Sequence, residues 1–195
     1  MVVKWGVEKI VTLDEGLAME FAGTKIKEAP KFLGYNIKDG KGYLYMSYIA
    51  ASLSPRLSGR SLTVSQCFDI VYSLKGIVEA LRDTSLPANS RPVGDFRDLS
   101  APLVSPTSEQ PVPSFSTESE MITYLNNALL EEFPTDSALL RSTFNSIPTN
   151  HRLVFTHGDL PGRNLIVRDR KLVGLVDWGY SGWYPEYFET MQARQ

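Results

Sequence analysis

Asp159, Asn164 five positions later, and Asp177 are the residues of this chain whose types and spacing could do chemistry. Each stands beside a short apolar run. Leu165 to Val167 and Leu172 to Val176 have the length of buried strands. Between them lies the polar stretch Arg168-Asp169-Arg170-Lys171, so the pair reads as a hairpin. A hairpin brings its two ends together. Asn164 at its entrance and Asp177 at its exit are therefore expected to face one pocket, with Asp159 in the loop before them. Two carboxylates and a carboxamide meeting there match the needs of phosphoryl transfer. Magnesium takes hard oxygen ligands and usually only one or two protein carboxylates; Asp177 and Asn164 can be those ligands. Asp159 can orient a substrate hydroxyl and accept its proton, and what remains for the protein is positioning and charge neutralisation. Taken singly, an Asp at a strand end or an Asp-x-x-x-x-Asn is an ordinary turn or cap. The combination carries the inference.

His157-Gly158-Asp159-Leu160 followed by Asn164, then Val176-Asp177-Trp178-Gly179, resembles the aminoglycoside phosphotransferase and choline kinase family, which shares the protein-kinase fold. The resemblance implies an α+β, two-lobe, protein-kinase-like fold with an incomplete N-terminal lobe. It implies that Asp159 is the catalytic base, that Asn164 and Asp177 hold Mg²⁺, and that His157 is mainly structural. It further implies that Lys4, in a Val-Val-Lys strand, meets the ATP phosphates. Glu15, rather than Glu20, would be the glutamate that pairs with it. Met46 to Ile49 would be the hinge, with main-chain groups of Ser47 and Tyr48 against the adenine. Pro161-Gly162 departs from the family's order, in which proline comes one place later. The aromatic tail Gly182 to Glu189 resembles the filamentous-fungal subset. Relatives carry a glycine-rich loop before the lysine strand and further helices at the end, so the chain reads as truncated at both ends.

The 195 residues fit one domain or two small lobes, and a hydrophobic content of 43% is enough for a sizeable core. Twenty basic against 22 acidic side chains give no pointer to nucleic acid. The single cysteine, Cys67, rules out an internal disulfide and fits a reducing, cytoplasmic compartment. No apolar run approaches the roughly 20 residues of a membrane span.

The elements that must position the site follow from pattern. Met1 to Trp5 reads as a strand. Asp14 is the expected cap of a helix through about Phe21, with Ala29-Pro30 as its stop. Phe32 to Ile37 and Tyr43 to Ile49 read as strands around the turn Asp39-Gly40-Lys41-Gly42, the second of them buried on both faces. Ser52 to Leu62 is a loop. Thr63 to Arg82 reads as an amphipathic helix facing inward with Val64, Cys67, Phe68, Val71, Leu74, Val78 and Leu81. Residues 84–116 are rich in proline and serine, with no regular element expected; a lid on the substrate side of the cleft and a disordered insert fit equally. Thr117 to Glu120 reads as a capping box opening a helix that buries Met121, Tyr124, Leu125, Ala128 and Leu129. A further helix covers Asp136 to Phe144, and Leu153 to Phe155 is the strand that delivers Asp159. The rings at 178, 180, 183, 184, 187 and 188 are expected in the core rather than stacked on a substrate. The domain division implied is 1–49 for the nucleotide lobe and hinge and 50–195 for the helical lobe.

The function these readings imply is transfer of the ATP γ-phosphate to a hydroxyl of a small molecule, with ATP and Mg²⁺ as cofactors. A non-catalytic kinase-like binding protein, or an inactive fragment without the phosphate loop, is the alternative. A protein kinase is a third reading: the Asp159-to-Asp177 spacing suits it, but Asp-Trp-Gly stands where Asp-Phe-Gly is usual.

Overall fold

Alternating burial along Lys41–Met46 sets the first layer: Leu44 and Met46 point inward while Tyr43 and Tyr45 are half-buried. This strand, β3, is central in an antiparallel sheet of order β1-β3-β2, between β1 (Val2–Val7) and β2 (Phe32–Lys38). The computed structural model describes residues 1–50, 62–84, 93–95 and 115–192. β3 ends at Met46 rather than Ile49 and is covered on one face only, with Gly42, Leu44 and Met46 buried and Tyr43 and Tyr45 half-buried between them. Asp39 and Gly40 both take positive φ, the geometry a two-residue hairpin turn demands. Gly42 does not; there the missing Cβ admits the carbonyl of Val11.

Helix α1 (Leu13–Gly23) packs on this sheet. Its cap is Thr12, not Asp14: the Thr12 hydroxyl accepts from the Glu15 N–H while the Thr12 backbone is extended. Asp14 falls in the first turn instead. The helix stops at Gly23, well before Pro30. Gly16 lets α1 lie close to the sheet, since a Cβ there would fall within 3.0 Å of Phe32 and Leu44. That close approach holds Glu15 above β1.

Helix α2 (Val64–Arg82) begins with a reciprocal capping box between Thr63 and Gln66. Its inward row is Ile70, Leu74, Ile77 and Leu81, packed toward the strands Leu153–Thr156 and Lys171–Leu175. Val64, Phe68 and Val71 are exposed, and so is Cys67, contrary to the row and the buried thiol expected from sequence. The helix carries apolar residues on more than one face, and the strands it lies against decide which is covered.

Most of the proline-rich stretch, and the loop expected at Ser52 to Leu62 except Leu62 itself, lie outside the described residues. Within the described part the expectation of no regular element fails. Val93 and Phe115 form a buried antiparallel bridge, and β4 (Gly94–Asp95) pairs with β8 (Gly182–Pro185). β8 also pairs with β5 (Leu153–Thr156), giving a second antiparallel sheet of order β4-β8-β5. Helix α3 (Glu118–Glu132) is capped by Thr117, but Glu120 reaches back to the Ser116 N–H rather than that of Thr117. It buries Met121 and Ile122 and half-buries Tyr124 and Leu125. In its first turn the buried Glu118 accepts from both the N–H and Nδ1 of His151, tying α3 to the approach of β5. Helix α4 (Ser137–Asn145) packs on α3.

β6 (Leu165–Arg168) and β7 (Lys171–Leu175) are the expected hairpin, turned through Asp169 and Arg170 at positive φ. The short helix α5 (Phe188–Gln192) follows β8. Trp178, Trp183, Tyr184 and Phe188 are buried, as expected of core rings. Trp183 and Phe155 meet edge to face at 5.6 Å, and Tyr184 stacks on Phe188 at 4.2 Å.

Candidate active site

β5 is buried along Val154 to Thr156 and delivers His157 into the interior, where it has no exposure. Nε2–H donates to the carbonyl of Val176 at 3.1 Å, and Nδ1 accepts from the Asp159 N–H at 3.2 Å. Burial drives the imidazole down to about 4, so it stays neutral in this one tautomer. His157 thus bolts the backbone of Asp159 to the residue before Asp177. Gly158 takes φ +82°, and a Cβ there would fall inside 3.0 Å of the Tyr180 carbonyl oxygen.

Glu189, on α5, accepts from the N–H of His157 at 2.9 Å and of Gly158 at 3.1 Å. Burial pushes its carboxyl up to about 7, the two N–H groups and Arg82 offsetting part of that. Ser181 donates to the His157 carbonyl from the other side. Sequence reasoning passed over Glu189. Its one signal is an acid at the end of an aromatic run, a signal that Glu186 shares.

The loop after Asp159 closes in a 3-10 turn, Gly162–Asn164, with the Asn164 N–H on the Pro161 carbonyl. Asn164 is buried, and its Nδ2 donates to the carbonyl of Asp159 at 3.0 Å and to Oδ2 at 2.8 Å. Both bonds use the nitrogen, which leaves the amide oxygen as the end available to a cation. Arg163, also missed, donates from Nη2 to both carboxylate oxygens of Asp159 at 2.9 Å.

The second half of the site gathers around Lys4. Its Nζ lies 2.8 and 2.9 Å from the two carboxylate oxygens of Glu15 and 2.7 Å from Oδ1 of Asp177. Burial pulls the ammonium down, but the two carboxylates outweigh it and hold it above the ordinary lysine range. The Glu15 carboxyl, 2% exposed, is pushed up by burial, with Lys4 and the Trp178 N–H offsetting this only in part. Asp177 takes φ +69°, uncommon for a residue with a Cβ. Trp178 closes the same turn by donating Nε1–H to the Leu175 carbonyl at 2.9 Å.

The structure therefore groups Lys4, Glu15 and Asp177 by direct contact, and Asp159 with Asn164 by another. The groups join through the Val176 N–H on the Asn164 carbonyl at 3.0 Å and through His157; no hydrogen bond links the Asn164 and Asp177 side chains. Ser47 and Tyr48 follow β3. The Ser47 N–H donates to the Lys31 carbonyl at 2.9 Å.

The sequence model of the phosphotransferase enzyme family (APH) matches residues 20–192, a span that holds Asp159, Asn164 and Asp177 but not Lys4 or Glu15. No curated protein sequence matches the chain. Among solved structures the chain is similar to a thermostable mutant of aminoglycoside phosphotransferase APH(4)-Ia in ternary complex with ADP and hygromycin B. That likeness has a TM-score of 0.68 and 10% identity, over 97% of this chain and 62% of the other. It is similar to APH(2″)-IIa in a streptomycin–ATP ternary complex, with a TM-score of 0.59 and 13% identity over 96% and 62%. It is also similar to APH(3″)-Id from Streptomyces rimosus with ADP and streptomycin, with a TM-score of 0.57 and 16% identity over 98% and 69%. The chain thus spans 62% of the length of the first of these. The likeness shows the fold: α+β and protein-kinase-like.

Proposed function

The chain belongs to the phosphotransferase enzyme family, and we propose that it is an ATP-dependent phosphotransferase acting on a hydroxyl of a small molecule. One observation carries the reading. Lys4, 173 positions before Asp177 in the chain, meets both Asp177 and the buried Glu15, which is an arrangement suited to gripping phosphate. The ADP and ATP bound in the similar structures support the choice of donor. We assign residues 1–49 to the nucleotide side and hinge, and 50–195 to the lobe carrying the catalytic loop.

In this reading Asp159 receives the acceptor hydroxyl, orients it and takes its proton. Lys4 meets the phosphate oxygens, held upright by Glu15. Main-chain groups at Ser47 and Tyr48 take the adenine. ATP supplies the phosphoryl group. The residues also fit magnesium: Asp177 Oδ1 already faces a cation at 2.7 Å, and Asn164 keeps an amide oxygen free on the same hairpin base. Asn164 and Asp177 would hold that ion, which when bound neutralises phosphate charge.

The test is ADP release from ATP and Mg²⁺ over a panel of hydroxylated small molecules, native chain against Asp159→Asn. A loss of about a hundredfold or more is expected from removal of a general base; equal rates refute the assignment. A second reading, a kinase-like binding protein, draws on the state of Asp159, whose two oxygens are both engaged by Arg163. Calorimetry with Mg²⁺ and a non-hydrolysable ATP analogue, alongside the turnover assay, separates the two: binding without turnover favours the second.

A further inference from the structure

Arg163 stands where the acceptor should. Its Nη2 lies 2.9 Å from both oxygens of Asp159, and a hydroxyl that gives its proton to a base must come within about 2.6–3.2 Å of it. The two cannot share that place. Oδ2 also accepts from Asn164, so a hydroxyl gains access only when the guanidinium swings aside. The backbone beneath it stays put: the Asn164 N–H bonds Pro161, the Leu165 N–H bonds Gly162, and the Asn164 amide bonds the Asp159 carbonyl. Only the side chain moves. It is 68% exposed, and exposed pairs of this kind hold by a factor of about five or less.

The displaced guanidinium keeps its charge. Even now only Nη2 is engaged; Nη1 and Nε make no bond among the described residues. That leaves a planar fork beside the base, a shape that matches the two oxygens of a carboxylate or phosphate. A cationic acceptor would instead meet like charge at the moment the base is uncovered.

We propose that Arg163 is the acceptor-recognition residue of this site and that the acceptor is a hydroxyl compound bearing an anionic oxygen group, carboxylate or phosphate, near the hydroxyl. Rebinding of the guanidinium to that group uncovers Asp159. The proposal rests on the phosphotransferase reading above and names its substrate class.

A matched three-carbon series tests it: glycerol, glycerate, glycerol 3-phosphate and 3-amino-1,2-propanediol. Each is titrated into ¹⁵N-labelled protein saturated with Mg²⁺ and a non-hydrolysable ATP analogue. The Arg163 Nε–H signal, assigned by its absence in Arg163→Gln, reports contact with the guanidinium, and the backbone amide signals of residues 159–165 report weak binding in the native chain and in the variants alike. The expected result is that glycerate or glycerol 3-phosphate binds about tenfold or more tighter than the neutral and cationic members. Whichever of the two wins identifies the anion. In Arg163→Gln that preference disappears while the unfolding midpoint matches the native protein's, and Arg163→Lys restores part of it. The proposal is overturned if the amine binds as tightly as the anions, if the preference survives Arg163→Gln, or if no member binds a protein that holds the nucleotide. Failure to hold the nucleotide overturns the phosphotransferase reading instead.

Discussion

Glu189→Gln should shift the profile of stability against pH in the rising direction. Two buried groups within one turn of the loop titrate in opposite senses. The Glu189 carboxyl rises from 4.5 to about 7 on folding. A raised group contributes stability that is complete below its unfolded value and is lost as pH climbs through its folded one. Between pH 5 and 8 that loss is about 2–3 kcal/mol. His157 falls from 6.5 to about 4, so its contribution is complete above 6.5 and is lost as pH falls toward 4. Over the same interval it returns about 2 kcal/mol as pH rises. Both side chains are buried, with exposures of 6% and 0%, so neither figure needs discounting for solvent. The two slopes oppose each other, and Glu189→Gln removes the falling one while leaving that of His157.

Urea denaturation of both proteins at pH 5, 6, 7 and 8 reads this directly. Groups common to both drop out of the difference, which should move in the variant's favour by about 2–3 kcal/mol from pH 5 to pH 8. The variant should start lower, by about 1–2 kcal/mol, because one glutamine oxygen cannot serve both the His157 and Gly158 N–H groups. A difference constant across the range would show that Glu189 does not change protonation there, and the reasoning would be wrong.

Lys4→Met leaves the Glu15 carboxylate buried without its cation and should cost about 2 kcal/mol, whereas Lys4→Met with Glu15→Gln should recover part of that; a double-mutant cycle by urea denaturation checks the sign. Gly158→Ala forces a Cβ against the Tyr180 carbonyl at φ +82° and should cost more than about 3 kcal/mol or prevent folding, read as the unfolding midpoint or the soluble yield. Ile70→Ala should cost about 3 kcal/mol while Val71→Ala stays within about 0.5, since one is buried and its neighbour exposed; equal costs would mean the helix is turned the other way.

The part of the site that lies close together in sequence was legible, and the reason is local. Asn164 and Asp177 bracket two apolar runs joined by a four-residue polar turn, and hairpin geometry alone brings such ends together. Lys4 and Glu15 came from resemblance, and nothing in their own neighbourhood marks them; a lysine in a terminal strand is ordinary. What escaped depends on contacts between distant segments. The periodicity of α2 could not say which of its apolar rows meets β5 and β7, so Cys67 and Phe68 were placed inside and lie outside. β8 hides in an aromatic run whose composition says core, not strand. Asp14 outranks nothing as a cap once Thr12 is extended with its hydroxyl on the Glu15 N–H. Glu189 has meaning only because α5 folds back onto the residues after β5, 31 and 32 positions away.

Those late contacts explain how the site can carry its own strain. Asp177 sits at a positive φ that costs of order 1 kcal/mol or more for a non-glycine residue, and it lies two residues past the end of β7. The groups that hold it there are not the reacting ones. His157 grips the Val176 carbonyl on one side, Trp178 closes onto Leu175 on the other, and Glu189 with Ser181 fixes the peptide from which His157 projects. All but the part-buried His157–Val176 bond are buried, where an unmade partner costs about 1–3 kcal/mol, so together they exceed the strain. Asp159 and Asp177, by contrast, are partly open and make their side-chain bonds at the cleft. Removing either carboxylate should therefore leave the loop's path intact. The division of labour follows from burial: interior polar groups set the backbone, and the carboxylates stay accessible to what they must bind.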